Sequence, residues 1–397
     1  MGVSLMTVYV IYITFIIFVI LLIVIGIYFL TLLRYHKVQN KKVAEVVDEI
    51  KDMMENHLSY DDLGKIPKEE LEYLQRITSN KIGLQGFLIC YKNHIDKKGF
   101  NEKSREYANK IVDYKKLLNN RIVRNKYRQS YILYLLAEFG MNTEEVEEFA
   151  LGSLKKNSIY VRNNALRVIQ NASNVFLVLE ALDLIDNSDH YFNDKILIDF
   201  LDGFMGDKVL LNEHLINKMD SYSNRLKRII IEYFSNNCVD YEEVKLKVLY
   251  YLSTSEDKEL LIASIKYFGK VFDDMALIYI VDKLNAEDWE LRAVSAKVLG
   301  QYKNEDIKQE LFEALRDENY FVRYNSVFSY IGMEDEKVLK DSIDKIKDRF
   351  ARHMLIYAMQ SRGIISFQEY SNILEPVVEN YTVVLNPLVE EVAHNDN

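Results

Sequence analysis

Apolar residues fill the beginning of the chain almost without interruption. Residues 1–33 contain no charged side chain, and twenty of the 26 positions from 8 to 33 are Ile, Leu, Val or Phe. A helix of that length, at 1.5 Å per residue, measures roughly 39 Å and exceeds the ~30 Å hydrocarbon core of a bilayer. We therefore expect residues 8–33 to form one transmembrane helix, preceded by a short external N-terminus at residues 1–7.

The flanks of this stretch predict its direction across the membrane. No Lys or Arg precedes it, whereas Arg34, Lys37, Lys41 and Lys42 follow it closely. Because positively charged flanks tend to stay on the cytoplasmic side, we expect the N-terminus outside and the body in the cytoplasm, at the cytoplasmic membrane. The same four side chains are predicted to meet anionic lipid headgroups.

After the charged flank, apolar residues recur every three or four positions, as at Val43, Ile50 and Met54. This spacing is typical of an amphipathic helix, so residues 34–62 are predicted to form a helical stalk. The apolar stripe is too short for a coiled coil, which favours packing on the protein's own body over self-dimerisation. Residues 63–130 are expected to form a helical cap region at the start of that body.

From about residue 150 the pattern of apolar positions repeats. An apolar residue is followed eight positions later by one that is often Arg, and small or apolar residues stand three and seven positions further on. Successive second members are 31, 34, 33, 32 and 31 residues apart, a length that suits two short helices and two turns. The six pairs are Leu154/Arg162, Ile185/Asn193, Met219/Lys227, Leu252/Leu260, Leu284/Arg292 and Leu315/Arg323.

A single helical hairpin cannot bury both of its faces, so repeated hairpins must stack. The sequence therefore predicts an all-α fold: a right-handed α-solenoid over residues 131–375, preceded by the transmembrane helix and stalk. Residues 376–397 are expected to form a C-terminal cap, or a tail that docks on a partner. Each repeat also has an Asn or Gly where we expect a left-handed residue to end the second helix. These are Asn171, Gly203, Asn236, Gly269, Gly300 and Gly332.

Three of these repeats resemble HEAT repeats of the bacterial type, the HEAT/PBS-lyase-like family. Residues 284–300, 315–323 and 154–165 carry Leu, Val-Arg or Leu-Arg, and Ala or a small residue at the offsets of that family. The resemblance implies an α-solenoid of helical hairpins. It does not specify an activity, since similar folds include DNA glycosylases and bilin lyases.

Charge is distributed unevenly along the chain. Residues 34–130 hold 21 Lys and Arg against 14 Asp and Glu, a net charge of +7, whereas residues 131–397 hold 29 against 46, a net charge of −17. Nucleic acid is a poor partner for such an acidic body, because phosphate binding depends on Lys and Arg displacing counterions. Two cysteines in 397 residues cannot form a disulfide framework and suit a reducing compartment.

The sequence contains no familiar catalytic motif. Its seven histidines are scattered, with no zinc-binding spacing, phosphate-binding loop or nucleophile elbow. We therefore expect no enzyme activity, no cofactor and no metal. The alternative is an enzyme or small-ligand-binding protein that uses an inter-repeat groove near an acidic cluster, although turn and capping roles are favoured for its residues. The cluster comprises Asp183, Asp186, Asp189, His190 and Asp194.

Aromatic residues stand beside the recurring arginines at the turns that lead into the second helices. Tyr, Trp and Arg are enriched at the energetic centres of protein interfaces. An arginine that recurs once per repeat can instead pair with an acidic neighbour, and Asp288 and Asp317 are available for this. The predicted partner-binding residues are Tyr160, Arg162, Tyr191, Trp289, Arg292, Tyr320, Arg323 and Tyr324.

These patterns favour a membrane-anchored cytosolic scaffold or adaptor. It would bind a protein partner, such as a membrane synthase, transporter or secretion component, at the inner face of the membrane. A sensor that passes a signal through the span is disfavoured, because only about seven residues would lie outside the bilayer. The identity of the partner and the oligomeric state cannot be predicted from these patterns.

Overall fold

The computed structural model describes residues 5–118, 125–302 and 304–378, and over these ranges the chain forms helices and turns without strands. The all-α prediction is therefore confirmed. Contacts divide the chain into two units. Unit 1 comprises residues 1–192 and 203–208, and unit 2 comprises residues 193–202 and 209–397. The predicted cap or tail at 376–397 lies outside the described residues beyond Val378.

Unit 1 contains one uninterrupted helix, α1 (Leu5–Ser59), which includes the predicted span and residues 34–59 of the predicted stalk. Its window of highest hydropathy is not buried, and by length and composition the helix is long and apolar enough to cross a membrane. The other helices of unit 1 are α2 (Lys68–Thr78), α3 (Lys81–Lys98), α4 (Glu102–Ile111), α5 (Tyr114–Leu118), α6 (Lys126–Glu138), α7 (Glu144–Leu154), α8 (Ile159–Asn171) and α9 (Val175–Asp186).

The stalk part of α1 packs along α3. Val43, Ile50 and Met54 are buried, and a Cβ atom added at Gly86 of α3 would lie 2.6 Å from Cγ1 of Val46. The absence of a side chain at Gly86 therefore lets the two helices approach closely. The apolar stripe of the stalk is covered by the protein's own body, as its short length favoured.

The end of α1 is tied to its neighbours by a buried histidine. His57 Nε2 lies 2.6 Å from the Glu70 carboxylate of α2, and its Nδ1 lies 3.1 Å from the hydroxyl of Tyr107 in α4. The chain then turns through a 3-10 segment at Leu63–Lys65, where Asp62 accepts a hydrogen bond from the Gly64 backbone amide. These contacts anchor the base of the stalk in unit 1.

In unit 2, each of the second helices α10, α12, α14, α16, α18 and α20 packs on the next. The helices are α10 (Asp194–Asp202), α11 (Lys208–Lys218), α12 (Asn224–Asn236), α13 (Glu242–Thr254), α14 (Lys258–Phe268), α15 (Asp274–Asp282), α16 (Trp289–Tyr302), α17 (Glu305–Glu313), α18 (Tyr320–Ile331), α19 (Glu336–Ile343), α20 (Arg349–Ser361) and α21 (Phe367–Val378).

The repeating apolar positions form the core between hairpins. All six first members of the pairs are buried, and three of them lie in short 3-10 turns that follow the first helices: Met219–Ser221, Lys283–Asn285 and Ala314–Arg316. The residues seven positions after the second members are also all buried. They are Ile169, Phe200, Phe234, Tyr267, Leu299 and Tyr330.

The prediction of left-handed residues at the Asn and Gly positions was wrong. Gly269 and Gly332 have φ values of −72° and −75°, and Gly300 lies inside α16. Ser173 and Cys238 have positive φ instead, at 61° and 48°, two residues after the predicted Asn positions. Gly300 allows α16 and α18 to pack closely, because a Cβ at this position would lie 2.8 Å from the Cα atom of Ser329 in α18.

Candidate functional site

The recurring arginines brace the turn between the two helices of a hairpin. Arg292 donates hydrogen bonds from Nη1 to the carbonyls of Ala286 and Glu287, both at 2.8 Å. Arg323 makes the equivalent bonds to Asp317 and Glu318, at 2.7 and 2.9 Å. Because the preceding turn offers unpaired carbonyl groups, a guanidinium at this position satisfies two of them at once.

Arg162 of unit 1 likewise donates hydrogen bonds to backbone carbonyl groups. Its Nη1 donates to the Lys156 carbonyl at 2.8 Å and its Nη2 donates to the Tyr191 carbonyl at 3.0 Å. Arg162 is buried, and this burial lowers the pKa of its guanidinium. Both of its terminal nitrogens donate inside the protein, so a contact of Arg162 with a partner remains only a prediction.

Arg292 also joins neighbouring repeats of unit 2. Its Nε and Nη2 atoms lie 2.7 and 3.1 Å from the two carboxylate oxygens of Asp317. This two-pronged hydrogen bond raises the pKa of Arg292. Asp288, the other carboxylate considered for this role, lies 3.8 Å from Lys258 instead. Arg292 therefore pairs with an acidic neighbour of the same chain, Asp317, which was the alternative to a role in partner binding.

Four aromatic side chains, three exposed and one half-buried, form a continuous group at the same turns of unit 2. We define the turn-edge cluster as Trp289, Tyr320, Phe321 and Tyr324. Trp289 and Phe321 stack with ring centroids 5.5 Å apart, and Tyr320 contacts Phe321 at 5.5 Å and Tyr324 at 6.0 Å. Trp289, Tyr320 and Phe321 are 38%, 50% and 55% exposed. Rings that stack on one another and still face solvent form a preorganised apolar surface.

The surroundings of the cluster are acidic. Glu287, Asp288 and Glu318 are all exposed, and the Glu318 side chain is 91% exposed although it lies 3.6 Å from Arg292. The nearby Lys258 is paired with Glu290 at 3.2 Å. An apolar centre with a polar rim is the usual organisation of a protein-binding surface.

Sequence reasoning missed an exposed aromatic residue that contacts one of the recurring arginines. Phe350 is 66% exposed at the start of α20, and the Arg323 guanidinium lies 5.6 Å from the centre of its ring. The last hairpin lacks the Leu-to-Arg signature, so its first-turn aromatic could not be aligned with the others. The step of about 30 residues from Tyr320 is the signal that points to it.

Two predicted partner-binding residues belong to unit 1. Tyr160 and Tyr191 are 70% and 66% exposed. Tyr160 stands at the start of α8, and the backbone carbonyl of Tyr191 is the acceptor for Arg162. Both rings therefore face solvent on unit 1.

The predicted lipid-contacting residues all lie on α1. Arg34, Lys37, Lys41 and Lys42 are exposed, and Lys41 has a weak contact of 3.9 Å with the carboxylate of Glu45. Their contact with lipid headgroups remains a prediction.

The acidic cluster of the alternative hypothesis is divided between the units. Asp183, Asp186 and His190 belong to unit 1 and Asp194 to unit 2. Asp194 is held by Arg225 and Arg228; burial would raise its pKa, but these two guanidinium groups lower it. Over the described ranges, no group of three or more His, Cys, Asp or Glu residues is arranged to hold a metal ion.

Comparison with known proteins supports the repeat assignment. Residues 276–360, which include the turn-edge cluster, match the family model described as HEAT repeats. No curated protein matches the chain. Among solved structures, the crystal structure of an engineered protein is 14% identical over 80% of this chain and 88% of that one, with a TM-score of 0.33. This value is too low to support an argument, so the HEAT-like assignment rests on the family match and on the stacked hairpins.

Proposed function

We propose that this chain is a membrane-anchored HEAT-repeat scaffold that binds a protein partner at the inner face of a bacterial cytoplasmic membrane. The observation that carries the proposal is the turn-edge cluster, where Trp289, Tyr320 and Phe321 form one exposed aromatic surface with an acidic rim. Trp and Tyr bury a large area on binding and lose little conformational entropy. We infer binding rather than catalysis, because the cluster contains no nucleophile, acid–base pair or ligand set.

The N-terminal part of α1 supports the membrane part of the proposal. Residues 8–33 contain no charged side chain, and the first basic side chain follows at Arg34. Because α1 continues without a break to Ser59 and is packed into unit 1 at its base, the anchor and the body would be joined by a rigid connection. A partner held by the body would thus remain near the membrane surface.

Replacement of the cluster aromatics is expected to weaken partner binding about 30-fold. The partner would first be identified by placing a photo-crosslinking amino acid at Phe321 in living cells, followed by mass spectrometry. Its affinity would then be measured for the variants Trp289→Ala and Tyr320→Ala. Loss of a central aromatic typically weakens binding by about 2 kcal/mol, roughly 30-fold. Tyr250→Ala is the matched control, since Tyr250 is 56% exposed on α13 of the same unit and should have no effect.

An unchanged affinity in both cluster variants would contradict the proposal. So would crosslinks from Phe321 that are no more specific than those from Tyr250. Either result would place the binding surface elsewhere on the chain.

The two native cysteines provide a test of orientation. Cys238 is exposed, whereas Cys90 is buried, and burial raises the pKa of the Cys90 thiol to about 11. Since the thiolate is the reactive form, Cys238 should react with maleimides and Cys90 should not. We expect a membrane-impermeant maleimide to label the protein only after the cell membrane has been opened, and Cys238→Ser to remove the label. Labelling of intact spheroplasts would reverse the proposed orientation.

A further inference from the structure

In unit 1, α3 runs parallel to the stalk part of α1. A Cβ atom added at Gly86 would lie 3.5 Å from the carbonyl oxygen of Val43, and Sγ of Cys90 lies 3.6 Å from the carbonyl oxygen of Val47. A step of four residues along α3 therefore matches a step of four residues in the same direction along α1. The N-terminal end of α3 thus points toward the apolar segment.

The same register gives the height of this end above the apolar segment. Lys81, the first residue of α3, is level with Val38, which follows Leu33 by five residues. At 1.5 Å per residue this distance is roughly 7–8 Å. A headgroup layer is about 5–8 Å thick on each side of the hydrocarbon core. In the membrane-anchored arrangement proposed above, on which this inference rests, Lys81 lies at the height of the headgroups.

The helix α6 has the same direction as α3. Lys81 and Tyr127, in the first turns of the two helices, line one cavity. Toward the other ends, Lys92 of α3 pairs with Glu138, the last residue of α6, at 3.0 Å. The N-terminal ends of α3 and α6 therefore lie side by side.

The helix α8 continues this arrangement. Asn164 donates a hydrogen bond to the carbonyl of Ser130 at 3.0 Å, and Asn171 donates one to the carbonyl of Ala137 at 2.8 Å. Seven residues along α8 thus match seven residues along α6, so the two helices are parallel and their first turns are level. The first turns of α3, α6 and α8 form one edge of unit 1, on the side of the apolar segment.

This edge is rich in lysine and tyrosine. The turn from α7 into α8 adds two lysines to those in the first turns. Tyr127 and Tyr160 are each 70% exposed. Tyrosine is enriched at the membrane–water interface, and lysine is attracted to anionic headgroups. We define the basic edge by six exposed side chains: Lys81, Lys126, Tyr127, Lys155, Lys156 and Tyr160.

Acidic residues stand at the opposite ends of the same helices. The first acidic residues within α3 and α6 are Asp96 and Glu138, each in the last turn. In α7, which ends at the basic edge, Glu144 and Glu145 lie in the first turn, and residues 149–179 contain no Asp or Glu. An anionic surface would therefore attract one edge of unit 1 and repel the other.

We propose that the basic edge of unit 1 binds the anionic headgroups of membrane phospholipids. The attraction acts within about a Debye length, ~8 Å at physiological salt, and the edge lies within this range. Four lysines give only roughly millimolar affinity, so the edge requires the anchor or the neighbouring basic residues of the stalk to remain bound. The anchor retains the protein, and the edge holds unit 1 against the bilayer. This proposal assigns Tyr160 to lipid rather than to a protein partner.

The test uses the full-length protein in lipid nanodiscs, with Cys238→Ser to remove the exposed native thiol. A fluorophore is attached at Asn157→Cys, in the turn of the basic edge, or at Glu144→Cys, at the other end of α7 and roughly 16 Å away. The quencher is a spin label on the lipid headgroup. We expect discs that contain phosphatidylglycerol to increase quenching at position 157, relative to discs of phosphatidylcholine alone, and high salt to remove the increase. Position 144 should not respond.

Charge removal makes the test specific. Replacing the four lysines of the basic edge with Gln should return quenching at position 157 to its value in phosphatidylcholine discs, because each lysine lost lowers the ratio of bound to unbound edge about fivefold. The matched control replaces four exposed lysines near the C-terminal ends of α1 and α3 and should leave the increase intact. These are Lys65, Lys68, Lys97 and Lys98.

Equal quenching at position 157 in the two kinds of disc would show that the edge lies near the bilayer without binding its headgroups, and would overturn the proposal. An equal effect of the two sets of Gln replacements would overturn it as well. Either result leaves the anchor intact, because the protein is still inserted in the discs. A protein that does not insert, and that alkaline carbonate releases from membranes, would refute the anchor and the basic edge together.

Discussion

Deletion of residues 1–33 is expected to convert a protein that resists extraction from membranes into one that salt removes. On insertion scales, Leu, Ile, Val and Phe each contribute about 0.3–0.6 kcal/mol, so twenty of them contribute about 6–12 kcal/mol. Val43 and Ile50, the first buried positions of the stalk, lie beyond the deletion. The packing of unit 1 should therefore survive, and the circular dichroism spectrum of the body should remain helical.

The measurement is extraction of isolated membranes with alkaline carbonate and with high salt. The full chain should stay in the pellet under both treatments. The shortened chain should bind anionic vesicles through Arg34, Lys37, Lys41 and Lys42, each contributing about 1 kcal/mol at low salt. Replacing these four residues with Gln in the shortened chain should abolish vesicle binding. A full chain that carbonate releases would refute the transmembrane assignment, and vesicle binding that survives the Gln replacements would refute the headgroup contacts.

The helical repeat could be predicted because every hairpin has to bury apolar side chains at the same positions. Each hairpin buries an apolar residue at or just after the end of its first helix and another seven positions beyond the second member of the pair, so the same burial pattern recurs every 31 to 34 residues. Leu284 and Leu299 are buried as this pattern requires. The same reasoning located the turns and hence the aromatics Trp289 and Tyr320.

The roles of polar residues could not be predicted in the same way. Whether Arg292 faces a partner or the chain depends on where the carbonyls of Ala286 and Glu287 point, and this is a property of the folded turn. Salt-bridge partners could not be predicted for a related reason. Salt bridges such as Lys258 with Glu290 join residues 32 positions apart, so pairing emerges only when the helices are in place.

The role of the glycines was predicted wrongly because a glycine near the end of a helix can have either of two physical causes. A glycine near the end of a helix can supply a left-handed residue or leave space for a neighbouring helix. Gly300 serves the second purpose. Its backbone approaches Ser329 of α18, whose hydroxyl donates to the Ala296 carbonyl at 2.7 Å. A separation of the two helices would break this hydrogen bond as well.

Gly300→Ala is therefore expected to destabilise unit 2, although Ala has a higher helix propensity than Gly. Propensity alone favours Ala inside a helix by about 1 kcal/mol. The added Cβ would lie 2.4 Å from the Ser329 hydroxyl oxygen and 2.8 Å from its Cα atom, and an α-carbon can move only if the helix moves. Forced contacts of this kind destabilise a packed core by about 1–3 kcal/mol, which should exceed the gain from propensity.

Gly152→Ala provides the matched control for this prediction. Gly152 lies inside α7, and an added Cβ there has no atom within 4 Å. Urea unfolding followed by circular dichroism should show a lower midpoint for Gly300→Ala and a higher midpoint for Gly152→Ala. For Gly152→Ala the free energy of unfolding should rise by about 0.5–1 kcal/mol. Stabilisation by both substitutions would mean that α16 and α18 are further apart than the structure has them. Destabilisation by both would point to loss of glycine flexibility rather than to close packing at position 300.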